Sequence, residues 1–164
     1  MAEARVLHCS VGPDEMAFLN YTGGTTGKSK GVIHSHNTHL AALTICTAED
    51  FFRRGNCAVV TPLFHISGIA VSNAALALGN TLSIMPAFDP GGFLQLVQDH
   101  RIEHALLVPT MIKMVVDHEG FENFDISAFK YIVYGASPID ETLLREARQA
   151  LPGVNFRFYL KTCL

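Results

Sequence analysis

Between the apolar stretch Met16–Leu19 and the pair Val32-Ile33, the chain reads Tyr21-Thr-Gly-Gly-Thr-Thr-Gly-Lys-Ser-Lys-Gly31. These eleven residues hold four glycines, three threonines and two lysines. Glycine accepts positive φ and lets a backbone approach a ligand closely, threonine hydroxyls donate hydrogen bonds, and lysine adds charge. Such a loop can converge its backbone N–H groups on a polyanion, phosphate above all. The flanks constrain it further. Gly31-Val-Ile-His-Ser-His36 is rich in β-branched types and alternates as a strand does. A Walker A loop would need glycine where this chain has Thr22, and it would feed a helix rather than a strand. The plain alternative is a glycine-rich turn without a ligand.

The rest of the chain alternates short β-rich runs with helical ones. Strands are predicted over 16–22, 31–36, 57–61, 81–86, 104–108, 131–134 and 155–160. Helices are predicted over 38–52, 66–78, from Pro90 to about His100, from Pro109 through 110–118, and from Pro138 to Ala150. Asp89-Pro90 carries the strongest start signal, an N-cap followed by proline at the first helical position. This alternation implies an α/β fold, a layered, parallel-rich sheet with helical crossovers. Residues 120–128 form the one long surface loop expected, and no repeat or linker divides the chain. Ligands collect at the carboxyl ends of such strands. The loop after Thr22 and the turn after Tyr134 both follow strands, so both are expected at one crevice.

At 164 residues, 49% hydrophobic and 16% charged, the chain has the composition of one well-buried domain. A net charge of −3 without a basic stripe excludes nucleic acid as an expected partner. Residues 69–78 are the most apolar, but Ser72 and Asn73 interrupt them and the run is too short to span a bilayer. The first residues show no apolar targeting core. Cys9, Cys46, Cys57 and Cys163 form no Cys-x-x-Cys pair, which points to reduced thiols and a cytoplasmic setting. His34, His36 and His39 raise a metal reading, because His-x-His on a strand points both rings to one face. No cysteine or carboxylate nearby completes such a site, and no metal ligand is assigned.

Two further segments join the loop. Thr61-Pro-Leu-Phe-His-Ile-Ser-Gly68 places a histidine three residues before a glycine, and Tyr134-Gly-Ala-Ser-Pro138 places small residues between a strand and a helix. Together, in this order, the three segments resemble the AMP-forming adenylate-forming superfamily of acyl-CoA synthetases, luciferases and adenylation domains. The resemblance runs from about Met16 to Tyr159, with Ser29 standing where the family usually has proline. It implies part of the large N-terminal domain of an adenylate-forming enzyme. It further implies a ligase that activates a carboxylic acid with ATP to an acyl-adenylate and hands the acyl group to CoA.

In that frame Thr22, Gly23, Gly24, Thr25, Thr26 and Gly27 would cradle the β- and γ-phosphates, and Lys30 would neutralise the departing pyrophosphate. Lys28 reads as an exposed loop lysine. His65 would form a wall and gate of the acyl pocket. Gly135, Ala136, Ser137 and Pro138 would let adenine lie on the backbone, and Tyr159 would stack on it. Thr162 would join Lys30 and His65 among the catalytic residues.

The pattern then fails. Where the family has Tyr-Gly-x-Thr-Glu, with the glutamate holding Mg²⁺, this chain reads Tyr159-Leu-Lys-Thr-Cys163. Mg²⁺ is a hard cation that takes oxygen ligands, and a thiol does not suit it. The expectation is therefore a single partial AMP-binding domain over 1–164 without the mobile C-terminal domain, and little or no activity on its own. The partners implied are ATP and a small carboxylic acid. Three alternatives stay open: a non-catalytic nucleotide-binding or interaction module, a P-loop NTPase, and an adenylation domain loading a carrier protein.

Overall fold

The computed structural model describes residues 10–23, 27–48, 52–135 and 137–159. The chain divides into two compact units, residues 1–42 and 43–164. In the first, β1 (Met16–Thr22) and β2 (Lys30–Ser35) form an antiparallel hairpin. Two strands flank the loop, as expected, and they pair antiparallel. The 23–29 connection is too short for a parallel return, which needs a crossover of about a dozen residues or more. The register sets Thr22 opposite Lys30 and Tyr21 opposite Gly31. Thr22 Oγ1 donates to the Lys30 carbonyl at 3.4 Å across the neck of the loop. Gly27 holds φ at 135°, a conformation that favours glycine. After β2, Ser35 Oγ accepts the Thr38 N–H at 3.2 Å and so caps α1 (His36–Ala48). A strand follows the loop, so the helix that a Walker loop feeds is not there.

The histidines of this unit also depart from expectation. His36 opens α1 instead of sharing a strand with His34, so the two do not form a strand-borne His-x-His pair. His34 is buried and stacks on Phe18 at 4.5 Å, and His39 meets the same ring edge-on at 5.1 Å. Burial, then the charges of His34 and His36, hold His39 below the usual imidazole range.

The second unit is a parallel five-stranded sheet in the order β4-β3-β5-β6-β7. Its strands are β3 (Asn56–Val59), β4 (Thr81–Ile84), β5 (His104–Leu107), β6 (Tyr131–Gly135) and β7 (Asn155–Tyr159). They are joined by α2 (Ile66–Ala77), α3 (Pro90–His100), α4 (Pro109–Val116) and α5 (Glu141–Ala150). The side-chain period of two sorts the strands onto two faces. Ala58, Ala105, Leu107, Ile132 and Tyr134 pack with Phe93, Leu94 and Val97 of α3, Ile112 and Val115 of α4, and Ala147 of α5. Their neighbours Cys57, Val59, Leu106 and Val133 pack with Val71, Ala74 and Ala75 of α2, together with Cys46 and Phe52. Covered on both faces, the central strands read as continuous apolar runs.

Helix starts follow their capping chemistry. Asp89 accepts the Gly92 N–H at 2.6 Å with Pro90 in the first turn, as the sequence indicates. α5 begins three residues later than expected: Asp140 accepts the Thr142 N–H at 3.3 Å, and Glu141 sits in the first turn. The carboxylates of Asp140 and Glu141 suit the positive end of a helix, which Pro138 does not supply. The helix expected over 38–52 ends at Ala48; residues 49–51 lie outside the described set. In 120–128 a short 3-10 turn, Phe121–Asn123, precedes an Asp125–Ser127 turn.

At the start of β5, His104 is 1% exposed. Asn80 Nδ2 donates to its Nε2 at 3.2 Å and to the Arg53 carbonyl at 2.7 Å, while Asn80 Oδ1 accepts the Gly55 N–H. The His104 proton therefore sits on Nδ1, which meets no hydrogen-bond partner among the described residues. Burial pushes this imidazole below its usual value, and the neighbouring Glu103 partly offsets that. Unfolded, His104 gains a proton near its ordinary 6.5; folded, it resists until lower pH. Its contribution to stability is thus complete above about pH 6.5 and is lost as pH falls toward and through the lowered value. Thermal melts between about pH 7.5 and pH 5 should show Tm falling with pH, and His104→Gln should flatten that slope. An unchanged slope in the variant would contradict the assignment.

Candidate functional site

The carboxyl ends of β3, β5, β6 and β7 lie along one edge of the sheet, and the segments leaving them build a cleft there. Past β3 the chain runs buried through Val60 and Thr61, and the His65 N–H donates to the Pro62 carbonyl at 3.0 Å. That turn delivers His65 as the N-cap of α2, with φ −102° and ψ 146°. Its Nδ1 accepts the Ser67 N–H at 3.3 Å and lies 2.8 Å from Ser67 Oγ. A backbone N–H cannot accept, so Nδ1 carries the lone pair and the ring proton sits on Nε2.

The glycine three residues on has a steric reason. A Cβ at Gly68 would fall 2.2 Å from the Pro62 carbonyl oxygen and 2.9 Å from that of Thr61. The first turn of α2 rests directly on the backbone that brings in the histidine, and only glycine allows that approach. Gly135 has the same character at the end of β6. It pairs with Tyr159, and a Cβ there would fall 2.2 Å from the Tyr159 carbonyl oxygen.

Ile66, Ala70 and Val71 of α2, Leu106, Gly135 and Tyr159 at the strand ends, and Cys46 and Phe52 line an open cleft, with His65 and Ser67 completing its wall. Among the described residues no charged side chain lines it. The Tyr159 side chain hydrogen-bonds Cys46; burial pushes the Cys46 thiol up, and that bond pulls it partly back. Cys57, fully buried, is pushed up to about 12 by burial alone. Neither thiol is a nucleophile at neutral pH.

Of the residues expected at a site, His65, Gly135 and Tyr159 meet at this cleft. Ser137 and Pro138 are exposed beyond it and do not line it. Thr22, Gly23, Gly27 and Lys30 are exposed on the hairpin. Gly24, Thr25, Thr26, Ala136 and Thr162 lie outside the described residues. Among the described residues, no three of His, Cys, Asp and Glu are grouped to hold a metal ion. Sequence reasoning missed Cys46, Phe52, Ala70 and Leu106. Each is an apolar residue within or beside a regular element, with the same pattern as ordinary core.

A doubly covered parallel sheet with a cleft at its carboxyl edge belongs to the broad α/β class of ligand-binding folds. The comparison with known sequences makes this specific. The family model described as "AMP-binding enzyme" matches residues 3–159, and the chain belongs to that family. It is 32% identical over 148 residues to the medium/long-chain-fatty-acid–CoA ligase FadD8 of Mycobacterium tuberculosis, covering 90% of this chain and 26% of that protein. It is 34% identical over 146 residues to the fatty acid–[acyl-carrier-protein] ligase ScoC of Streptomyces coeruleorubidus, covering 86% and 28%. The inhibitor-bound N-terminal domain of FACL13 from Mycobacterium tuberculosis superposes with a TM-score of 0.83 at 26% identity, over 96% of this chain and 39% of that one. The chain thus spans about a quarter of the length of the curated relatives it matches.

The two close approaches make a paired prediction. Gly68→Ala and Gly135→Ala should each lower stability by about 1–3 kcal/mol, because backbone must move to admit the methyl. Gly23→Ala, with nothing within 4 Å of the added atom, should leave Tm unchanged. Chemical denaturation of the three variants decides it. Equal midpoints for all three would contradict the steric account.

Proposed function

We propose that the chain is part of an AMP-forming acid–thiol ligase, in which a carboxylate attacks the α-phosphorus of ATP, pyrophosphate leaves, and the acyl-adenylate then passes its acyl group to the thiol of CoA. The family match over 3–159 carries the reading, because it takes in all three motif segments in order. Phosphoryl chemistry of this kind asks a protein to position groups and to stabilise charge spread over phosphate oxygens. We assign Thr22, Gly23, Gly24, Thr25, Thr26 and Gly27 to the β- and γ-phosphates and Lys30 to the charge of departing pyrophosphate. We assign Gly135, Ala136, Ser137, Pro138 and Tyr159 to the adenine, His65 to the acyl side, and Thr162 to the reacting centre. The hairpin supports the first assignment: it exposes Lys30 at a loop neck whose composition suits a polyanion.

The residues at the expected Mg²⁺ position do not fit that ion, since Cys163 stands in the place of the glutamate. No step here is routed through a metal. In this reading residues 1–164 belong to a single partial AMP-binding domain, and the 164-residue polypeptide by itself turns over little or not at all. The reduced, buried Cys46 and Cys57 suit a cytoplasmic setting. Among the described residues, no helix is long and apolar enough to cross a membrane. A carrier-protein thiol is the second acceptor to consider, on the strength of the 34% identity to ScoC.

Two measurements test the reading. Lys30→Ala should weaken ATP binding at least about tenfold in calorimetry yet leave AMP binding unchanged, since the lysine serves only the pyrophosphate half. ATP–pyrophosphate exchange by the 164-residue polypeptide should stay near background. Release of ADP and inorganic phosphate, or equal loss of ATP and AMP affinity in the variant, would contradict the assignment.

A further inference from the structure

Tyr159 closes β7, the outermost strand of the sheet order, and its two ends are held by different elements. Its backbone pairs with Gly135 at the end of β6. A Cβ at 135 would come within 3.4 Å of the Tyr159 Cβ, so the neighbouring strand offers the ring no side chain to lean on there. At the other end of the ring, the hydroxyl bonds to Cys46 in the last turn of α1. Cys46 is 5% exposed and belongs to one apolar cluster with Phe52, Val71 and Leu106. A thiol sulfur is a weak acceptor, but this one is fixed in the core. A tyrosine side chain untethered at its tip samples more than one staggered χ1 well. Anchored by the ladder at Cα and by Cys46 at Oη, this ring is confined to one. A flat ligand that stacks on a ring already ordered does not lose affinity to ordering it.

We propose that Cys46 is a positioning residue for the nucleotide: it tethers Tyr159 so that the ring stands oriented for the adenine before the nucleotide arrives. The proposal rests on the adenine reading of Tyr159 above and deepens it by naming what orients that ring. Cys46 acts through Tyr159 and not by contact with the base.

Three variants of the 164-residue chain test it, with circular dichroism melts confirming that each folds. Cys46→Val keeps the shape and removes the acceptor, Cys46→Ser keeps an acceptor, and Tyr159→Phe keeps the ring and removes the hydroxyl. If Cys46→Val does not fold, Cys46→Ala takes its place. In calorimetric titrations with AMP, Cys46→Val and Tyr159→Phe should each weaken binding about three- to tenfold, and Cys46→Ser by less than about twofold. The double variant Cys46→Val/Tyr159→Phe should bind no more weakly than either single one, because both remove the same bond. Packing alone would rank the first two variants the other way, since valine suits a buried apolar site better than serine. Wild-type affinity in Cys46→Val, equal losses in Cys46→Ser and Cys46→Val, or additive losses in the double variant would overturn the proposal. Ring signals of the ¹³C-tyrosine-labelled chain without nucleotide, with Tyr159 assigned by its loss in Tyr159→Phe, separate the two readings. They should shift or broaden in Cys46→Val and hold in Cys46→Ser. Signals unchanged in Cys46→Val overturn the tether itself. A ring that moves in Cys46→Val while the wild-type chain binds no AMP upholds the tether and sinks the adenine reading, and the nucleotide role of Cys46 with it.

Discussion

Parallel strands joined by helical crossovers must all end at the same edge of their sheet, and the cleft of residues 43–164 is a consequence of that constraint. His65, Leu106, Gly135 and Tyr159 are far apart in sequence, yet each follows or closes a strand of one parallel ladder. The ladder is tight where it matters. Gly135 and Tyr159 pair so closely that any side chain at 135 would collide with the Tyr159 carbonyl. Gly68 meets the same demand against the Pro62 backbone. Two glycines thus fix the end of β6 against β7 and the start of α2 against the segment leaving β3. The positions of Tyr159 and His65 follow from them.

Within that frame the cleft combines an apolar wall with one oriented imidazole. The neutral tautomer of His65 follows from a backbone N–H, so it does not depend on which way a hydroxyl turns. Cys46 and Tyr159 satisfy each other, which leaves the interior wall without an open polar demand. The opposite end of the sheet is held differently. Asn80 ties residues 53 and 55 to His104, and Lys130 bonds Glu103 at 2.8 Å. Those contacts stabilise the amino edge and leave the carboxyl edge free for chemistry.

Much of the fold was legible because each signal had a local physical cause. Asp89-Pro90 starts a helix by capping chemistry that needs no tertiary context, and the β-rich runs 57–61 and 104–108 read as strands. The start of α5 was placed three residues early, where a stronger local rule, the Asp140-Glu141 pair, was present in the sequence. Of the site, residues with unusual chemistry were visible, since a histidine or a glycine turn stands out from its neighbours. His65, Gly135 and Tyr159 were expected at a site from the resemblance, and all three line the cleft. Cys46, Phe52, Ala70 and Leu106 were not, because an apolar residue facing a cleft and one facing the core look alike until the chain is folded. The tight approach at Gly68 was equally invisible: its partner is backbone, which has no sequence identity.

The proposed role of the hairpin loop, binding the pyrophosphate half of ATP, is tested most directly by ¹H–¹⁵N NMR titrations of the ¹⁵N-labelled chain with ATP and with AMP. Amides in 22–30 should shift along a saturation curve with ATP and stay in place with AMP. No shift in 22–30 with ATP, or equal shifts with AMP, would contradict it.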